Sequence, residues 1–179
     1  MPTASSKPPT IPPRIERLLL VPLVAAGCAS FDGHTLVPGK STATEVEALM
    51  GAPAEVIAGP DGGRTFYYPR LPMGRQTFAV RVGRDGVLQS IEQRLTRENF
   101  AKLVAGTTTA KEVRELLGPS HQMVRYERRQ RDVWEYTYRH YEEYRVLWVY
   151  FSYDGVVQEM EDMKDWSAYP PSGRGRARS

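Results

Sequence analysis

The chain has 179 residues, 41% hydrophobic and 25% charged, with 24 lysines and arginines against 21 acidic residues for a formal net charge of +3. The excess gathers at the two ends, in Lys7, Arg14 and Arg17 and in Arg174, Arg176 and Arg178. The body between them is nearly neutral, which excludes the basic footprint of a nucleic-acid-binding protein. The only cysteine, Cys28, excludes a disulfide framework within the chain.

The first element, residues 1–27, reads as a signal peptide. Basic residues precede an apolar run over residues 18–26, and small residues lead to a cut site before Cys28. The run is far shorter than the about 20 residues a membrane-spanning helix needs. Val24-Ala25-Ala26-Gly27-Cys28 resembles a bacterial lipobox, with Ala25 where leucine is usual. The alternative is a buried or amphipathic helix with an incidental cysteine. The resemblance implies that Cys28 is lipidated, with acyl chains such as palmitate, and becomes the first residue of the mature chain. Two or more such chains anchor stably, at about 0.8 kcal/mol per buried CH₂, whereas one alone is marginal. Ala29, in place of an aspartate, points by the same resemblance to the outer membrane rather than the inner.

The body then says the same thing twice. Residues 36–51 read LVPGKSTATEVEALMG and residues 103–118 read LVAGTTTAKEVRELLG, identical at nine of sixteen positions. Thr42-x-x-Glu45 and Thr109-x-x-Glu112 are capping boxes: the threonine hydroxyl accepts from an orphan backbone N–H, and the glutamate reaches back to the cap's own N–H. Val46, Leu49 and Met50, like Val113, Leu116 and Leu117, form an apolar stripe. Gly51 and Gly118 stand where a left-handed residue stops a helix, with Pro53 and Pro119 beyond. Each copy therefore opens with a helix of about two turns.

After each helix the periodicity shifts towards two. In copy one, Phe66 and Tyr68 alternate, then Phe78, Val80 and Val82, before an Asp85-Gly86 turn; in copy two, Trp134, Tyr136 and Tyr138 alternate, then Leu147, Val149 and Phe151, before Asp154-Gly155. Copy two carries two extra residues, assigned to the loop over residues 125–132. Residues 96–105 read as a linking helix with Phe100, Leu103 and Val104 inward. The expected class is α+β: two tandem repeats, each of short helices on a three- or four-stranded antiparallel sheet. The repeats span residues 28–95 and 96–166, and residues 167–179 read as a disordered basic tail. Two units of this size are marginal alone, so the repeats are expected to pack against each other.

The lipobox, the capped helix ending in Gly and Pro, the aromatic pair that follows, and the strand ending in Asp-Gly together resemble the BamE (SmpA/OmlA) outer-membrane lipoprotein family. The motif stands at residues 39–53, Phe66-Tyr67-Tyr68 and Asp85-Gly86, and again at residues 106–118, Trp134-Glu135-Tyr136 and Asp154-Gly155. The resemblance implies helices against an antiparallel sheet and an accessory role in outer-membrane protein assembly, in contact with another envelope protein. A typical member has one such domain; the tandem copies are similar in architecture to the β-lactamase inhibitor protein, where both sheets join into one concave face.

Reactive chemistry is hard to find in these residues. Gly39-Lys40-Ser41 lacks the upstream glycine of a phosphate-binding loop, since His34 stands there. His34, His121 and His140 are scattered and have no cysteine ligand beside them. Glu142-Glu143 and Glu159, Glu161 and Asp162 read as turn and edge-strand charges. Arg125, Arg128, Arg129 and Arg131 read as a solvated loop. The expectation is a protein that is not an enzyme, with no cofactor, metal, nucleic acid or small-molecule substrate, held at the outer membrane and facing the periplasm. Its function would be that of a scaffold or assembly accessory binding an envelope protein. The alternatives are an inhibitor that engages an envelope enzyme through a concave sheet face, and a structural protein that binds cell-wall polymer or lipopolysaccharide through its arginines. The candidate partner-binding residues are Trp148, Tyr150, Tyr136 and Tyr138, because tryptophan and tyrosine on an open sheet face are common binding anchors. Strand alternation puts Trp148 and Tyr150 opposite Leu147, Val149 and Phe151. These aromatics form either a binding face or the seam between repeats.

Overall fold

The computed structural model describes residues 35–169. Residues 1–34, which hold the expected signal peptide and Cys28, and residues 170–179 lie outside the described residues. Among those described, no helix is long and apolar enough to cross a membrane.

Each repeat opens with an eight-residue helix, α1 (Ala43–Met50) in the first and its counterpart Ala110–Leu117 in the second. Both capping boxes are formed. Thr42 Oγ1 accepts from the Glu45 amide at 3.3 Å and Glu45 Oε2 accepts from the Thr42 amide at 2.7 Å; Thr109 and Glu112 repeat both distances. The helix stops differ from the left-handed residues expected. Gly51 has φ 85°, ψ −172° and Gly118 has φ 84°, ψ −170°. Positive φ with extended ψ is a region open essentially to glycine alone. It turns the chain straight from helix into strand, where a left-handed residue would continue the coil.

Four strands follow each helix: β1 (Glu55–Ala58), β2 (Arg64–Pro69), β3 (Thr77–Val82) and β4 (Leu88–Gln93), then, beyond a short α2 (Arg97–Phe100) and the second long helix α3 (Ala110–Leu117), β5 (Gln122–Tyr126), β6 (Arg131–His140), β7 (Glu143–Ser152) and β8 (Val157–Lys164). They form two separate antiparallel sheets, ordered β1-β2-β3-β4 and β5-β6-β7-β8. The protein is thus α+β, with two tandem helix-and-sheet units. The sheets do not join into one hydrogen-bonded face among the described residues, so the single concave sheet expected from the inhibitor-like architecture is not formed.

The Asp-Gly turns have a second use. Gly86 C=O accepts from the Ala43 amide at 2.8 Å and Gly155 C=O from the Ala110 amide at 2.7 Å, satisfying an orphan donor at each helix start. The segment before each helix also lies along the last strand: Gly39 N–H donates to Leu88 C=O, and Gly106 N–H to Val157 C=O. This explains Gly39-Lys40-Ser41 as a docking turn. The two extra residues of repeat two are split. The pair Tyr68–Phe78 corresponds to Tyr136–Leu147, which leaves one insertion in the β5–β6 hairpin and one in the β6–β7 hairpin. That second residue lets β6 and β7 pair out to His140–Glu143, whereas β2 and β3 are joined by an irregular loop over residues 70–76.

Each sheet buries one face under its helix. The first core holds Val46, Met50, Phe66, Tyr68, Val80, Val82 and Leu88. The second holds Val113, Leu117, Tyr136, Tyr138, Leu147, Val149, Phe151 and Val157, together with Leu95, Phe100 and Leu103 from the link. The link is helical only over Arg97–Phe100, capped by Thr96. Phe100 and Leu103 point inward as expected, but Val104 is 54% exposed. Its amide is held by Thr108 Oγ1 at 2.8 Å, so the chain has already left the helix and turned towards β8. Repeat two also ends later than expected: Trp166–Ala168 forms a 3₁₀ turn, and Tyr169 Oη accepts from the Tyr144 amide at 3.1 Å.

The seam between repeats is built from the first sheet's outer face and the second repeat's helix. Tyr67, Thr77 and Ala79 are all buried there. Tyr67 Oη donates to Glu115 C=O at 2.6 Å, and Arg114 Nε pairs with Glu55 Oε1 at 2.6 Å. A Cβ on Gly118 would stand 2.7 Å from the Tyr67 ring and 2.9 Å from the Thr77 methyl. Beside it, Arg75 from the irregular loop pairs with Asp165 at 2.6 Å and lies over the Tyr144 ring. Of the β7 aromatics, Tyr144 meets this seam through Arg75, whereas Trp148 and Tyr150 take no part in these contacts.

Candidate partner-binding face

The outer face of the second sheet carries a cleft of about 860 Å³, lined only by residues of repeat two. Trp148 and Tyr150 form its floor, half-buried, on the side of β7 opposite Leu147, Val149 and Phe151. The antiparallel register places Glu135 beside Trp148 and Glu161 on the other side of it. Trp148 Nε1–H donates to Glu135 Oε2 at 3.0 Å and Tyr150 Oη donates to Glu161 Oε2 at 2.7 Å. These bonds satisfy the polar tips and fix the rings, leaving their faces to the cleft. Burial, followed by the Glu161 hydrogen bond and the nearby carboxylates, pushes the Tyr150 phenol up to about 12.

The rim is the β5–β6 hairpin, closed by a 3₁₀ turn at Glu127–Arg129. As expected, Arg125, Arg128 and Arg131 are exposed at this hairpin end, and its tip is a regular 3₁₀ turn. Arg125 grips Asp132 through two bonds of 2.8 Å, which hold the Asp132 carboxyl below its usual range. Arg131 approaches Glu159 at 3.8 Å. Arg128 is exposed.

Tyr136 and Tyr138 do not belong to this face. They are 0% and 1% exposed, in the helix-side core. Tyr136 Oη donates to Gly118 C=O at 3.2 Å and Tyr138 Oη to Asp162 Oδ1 at 2.7 Å. The register explains the correction: Tyr136 lies across from Leu147, and directly paired residues of adjacent strands project to the same side. Strand alternation, followed one strand further, carries that signal.

Two residues read as unremarkable hold key positions. His121 sits half-buried where β6 passes the seam; its Nδ1 accepts from the Thr137 amide at 2.8 Å, and Nε2 is buried without a hydrogen-bond partner. Burial, with the Arg75 charge adding to it, lowers its pKa to about 4. Asp162, expected as an edge charge, is a hub: it accepts from Tyr138 at 2.7 Å, from Arg145 at 2.9 Å and from Arg97 at 3.3 Å. Burial acts to raise its pKa, but the Tyr138 and Arg145 hydrogen bonds and the arginine charge outweigh it, and the carboxyl is held below its usual range. Glu159 and Glu161 lie on the β8 edge strand, and Glu142 in the β6–β7 turn, as expected. Among the described residues no group of three or more His, Cys, Asp and Glu is placed to hold a metal ion.

No family model matches the chain, and no curated protein matches it. Among solved structures it is similar to a DUF4309 family protein (YjgB) from Bacillus subtilis subsp. subtilis str. 168. The identity is 19%, over 73% of this chain and 82% of that one, with a TM-score of 0.29. A likeness at that score carries no argument for fold or function.

Proposed function

We propose that this chain is a BamE-like lipoprotein, anchored through Cys28 to the periplasmic side of the outer membrane, that acts as a scaffold or accessory in envelope protein assembly. The observation that carries this reading is the outer face of the second sheet: Trp148 and Tyr150 floor an open cleft while the matching positions of the first sheet are Ala79 and Arg81. Large aromatics pinned at their polar tips and open on their faces are suited to anchor a protein partner. The duplication supports the same reading, because one repeat is used to support the other and the second keeps its outer face for contact. The lipobox supports the location. An inhibitor of an envelope enzyme is the weaker reading, since the joined concave sheet it relied on is not formed and the cleft is confined to repeat two.

Fractionation of cells producing the full chain or Cys28→Ala tests the anchor: the first is expected in the outer membrane and the second soluble in the periplasm. Both chains soluble would end the lipoprotein reading. Affinity capture from envelope extract, with Trp148→Ala in parallel, tests the face. Recovery of barrel-assembly subunits by the wild type alone supports the proposal, and recovery of a single hydrolase returns the inhibitor.

A further inference from the structure

The two edges of the second sheet are unlike. β8, at one edge, carries Glu159, Glu161, Asp162 and Lys164 along its length, charges of the kind that keep an exposed edge from pairing with a stray strand. β5, at the other edge, reads Gln122-Met123-Val124-Arg125-Tyr126. Its one charge is spent on Asp132, and Met123 and Tyr126 are 61% and 50% exposed. A strand paired on one side only leaves alternate N–H and C=O groups pointing outward. Among the described residues, β6 is the one strand paired with β5. The matching edge of repeat one, β1, is shorter and has its Glu55 held in the seam by Arg114.

The free edge and the cleft are continuous. Gln122, Val124 and Tyr126, at alternate positions of β5, line the cleft beside Trp148 and Tyr150. We propose that β5 takes up an extended segment of the partner as an added strand of the second sheet, a proposal that rests on reading this face as the partner site. Main-chain hydrogen bonds to β5 supply the attachment, and alternate side chains of the segment enter the cleft. The segment is apolar at those positions, to meet Val124 and Tyr126. It carries a carboxylate at the hairpin end, where Arg128 is exposed and makes no ion pair among the described residues and Arg131 is only loosely engaged by Glu159.

The test is a phage-displayed random peptide library selected on the full chain and counter-selected on Val124→Lys, which places a guarding charge on the edge. Peptides that alternate apolar and polar residues with an aspartate or glutamate at one end are expected. Binding of the synthesised peptide should slow hydrogen exchange of the β5 amides by about tenfold or more, and N-methylation at alternate peptide residues should weaken it about tenfold. Recovery of no such peptide, equal binding to Val124→Lys, or tolerance of N-methylation in both alternate sets overturns strand addition. So does a peptide that changes Trp148 fluorescence while β5 exchange stays the same, an outcome that leaves the aromatic face standing. A concentration-dependent dimer that protects β5 without peptide assigns the edge to a second copy and also overturns it. If Trp148→Ala captures the envelope partner normally while a peptide still protects β5, the aromatic-face reading fails instead.

Discussion

On the first sheet's outer face, Tyr67, Thr77 and Ala79 are buried against the end of α3. At the matching places on the second sheet stand Glu135, Val146 and Trp148, and two of these line an open cleft. The helix-side faces hardly differ: Phe66, Tyr68, Val80 and Val82 answer Trp134, Tyr136, Val149 and Phe151. The glycines at the helix stops match within a few degrees as well. Gly51, however, has open space where a side chain would go, and Gly118 has Tyr67 and Thr77. Duplication therefore preserved what each unit needs to fold and let the outer surfaces part. One sheet face, with small residues at Thr77 and Ala79, became a seat for a helix. The other gained large aromatics.

The sharpest way to break this comparison is to fill both helix stops. Gly51→Ala should cost roughly 1–3 kcal/mol, because alanine is strained at that φ and ψ. Gly118→Ala meets the same strain and also drives a methyl into the seam, so its cost should rise to roughly 3–5 kcal/mol. Urea midpoints of the two variants measure the difference. Equal losses would mean that Gly118 does not sit in a packed seam.

The next effect separates the repeats by pH. His121 corresponds to Ala54, so only repeat two carries a titrating group at this place. Its folded pKa is lowered to about 4 from 6.5. Above the unfolded value both states hold neutral histidine and no penalty applies. Between about pH 6.5 and pH 4 the unfolded chain takes a proton that the folded one refuses, so stability falls with pH and the loss levels off below about pH 4. At about 1.36 kcal/mol per pKa unit the loss is at most roughly 3–4 kcal/mol. Stability measured across this range for wild type and His121→Gln should show a downward step between about pH 6.5 and pH 4 that the variant lacks.

A smaller effect tests whether the outer faces have exchanged roles. Trp148→Ala should lower stability by only about 1 kcal/mol, yet weaken partner capture by about 2 kcal/mol or more. Ala79→Trp, its mirror, should overpack the seam by about 1–3 kcal/mol. A thermal melt of Trp148→Ala that falls as far as a buried aromatic truncation would place Trp148 in the fold rather than in binding.

The parts legible from sequence are those governed by neighbours in the chain. The capping boxes, the alternating strands and the Asp-Gly turns depend on residues a few positions apart, and all of them form. The placement of Trp148 and Tyr150 opposite Leu147 follows from alternation within one strand. Tyr136 and Tyr138 needed the register between two strands, and there the reading put core residues on a surface. The seam lay further out of reach. Tyr67, Thr77 and Ala79 alternate like any solvent-facing set, and only the approach of α3 buries them. The extra residue in the β6–β7 hairpin likewise shows itself only once the ladders are compared.

The smallest effect asks whether the repeats remain equivalent where they look equivalent. Thr42 and Thr109 make the same two cap bonds at the same distances, and both sit at exposed helix starts. Removing an N-cap hydroxyl typically costs about 1 kcal/mol, so Thr42→Ala and Thr109→Ala should shift the unfolding midpoint equally if the two units unfold as one. If the seam holds only loosely, the first repeat can open by itself. Thr42→Ala would then broaden the transition and accelerate hydrogen exchange in β1 to β4 alone, while Thr109→Ala would also destabilise the seam through α3. Exchange rates read strand by strand for the two variants distinguish these cases. Matched losses spread over both sheets are expected, because Tyr67, Arg114 and Arg75 tie the repeats together through three separate polar contacts.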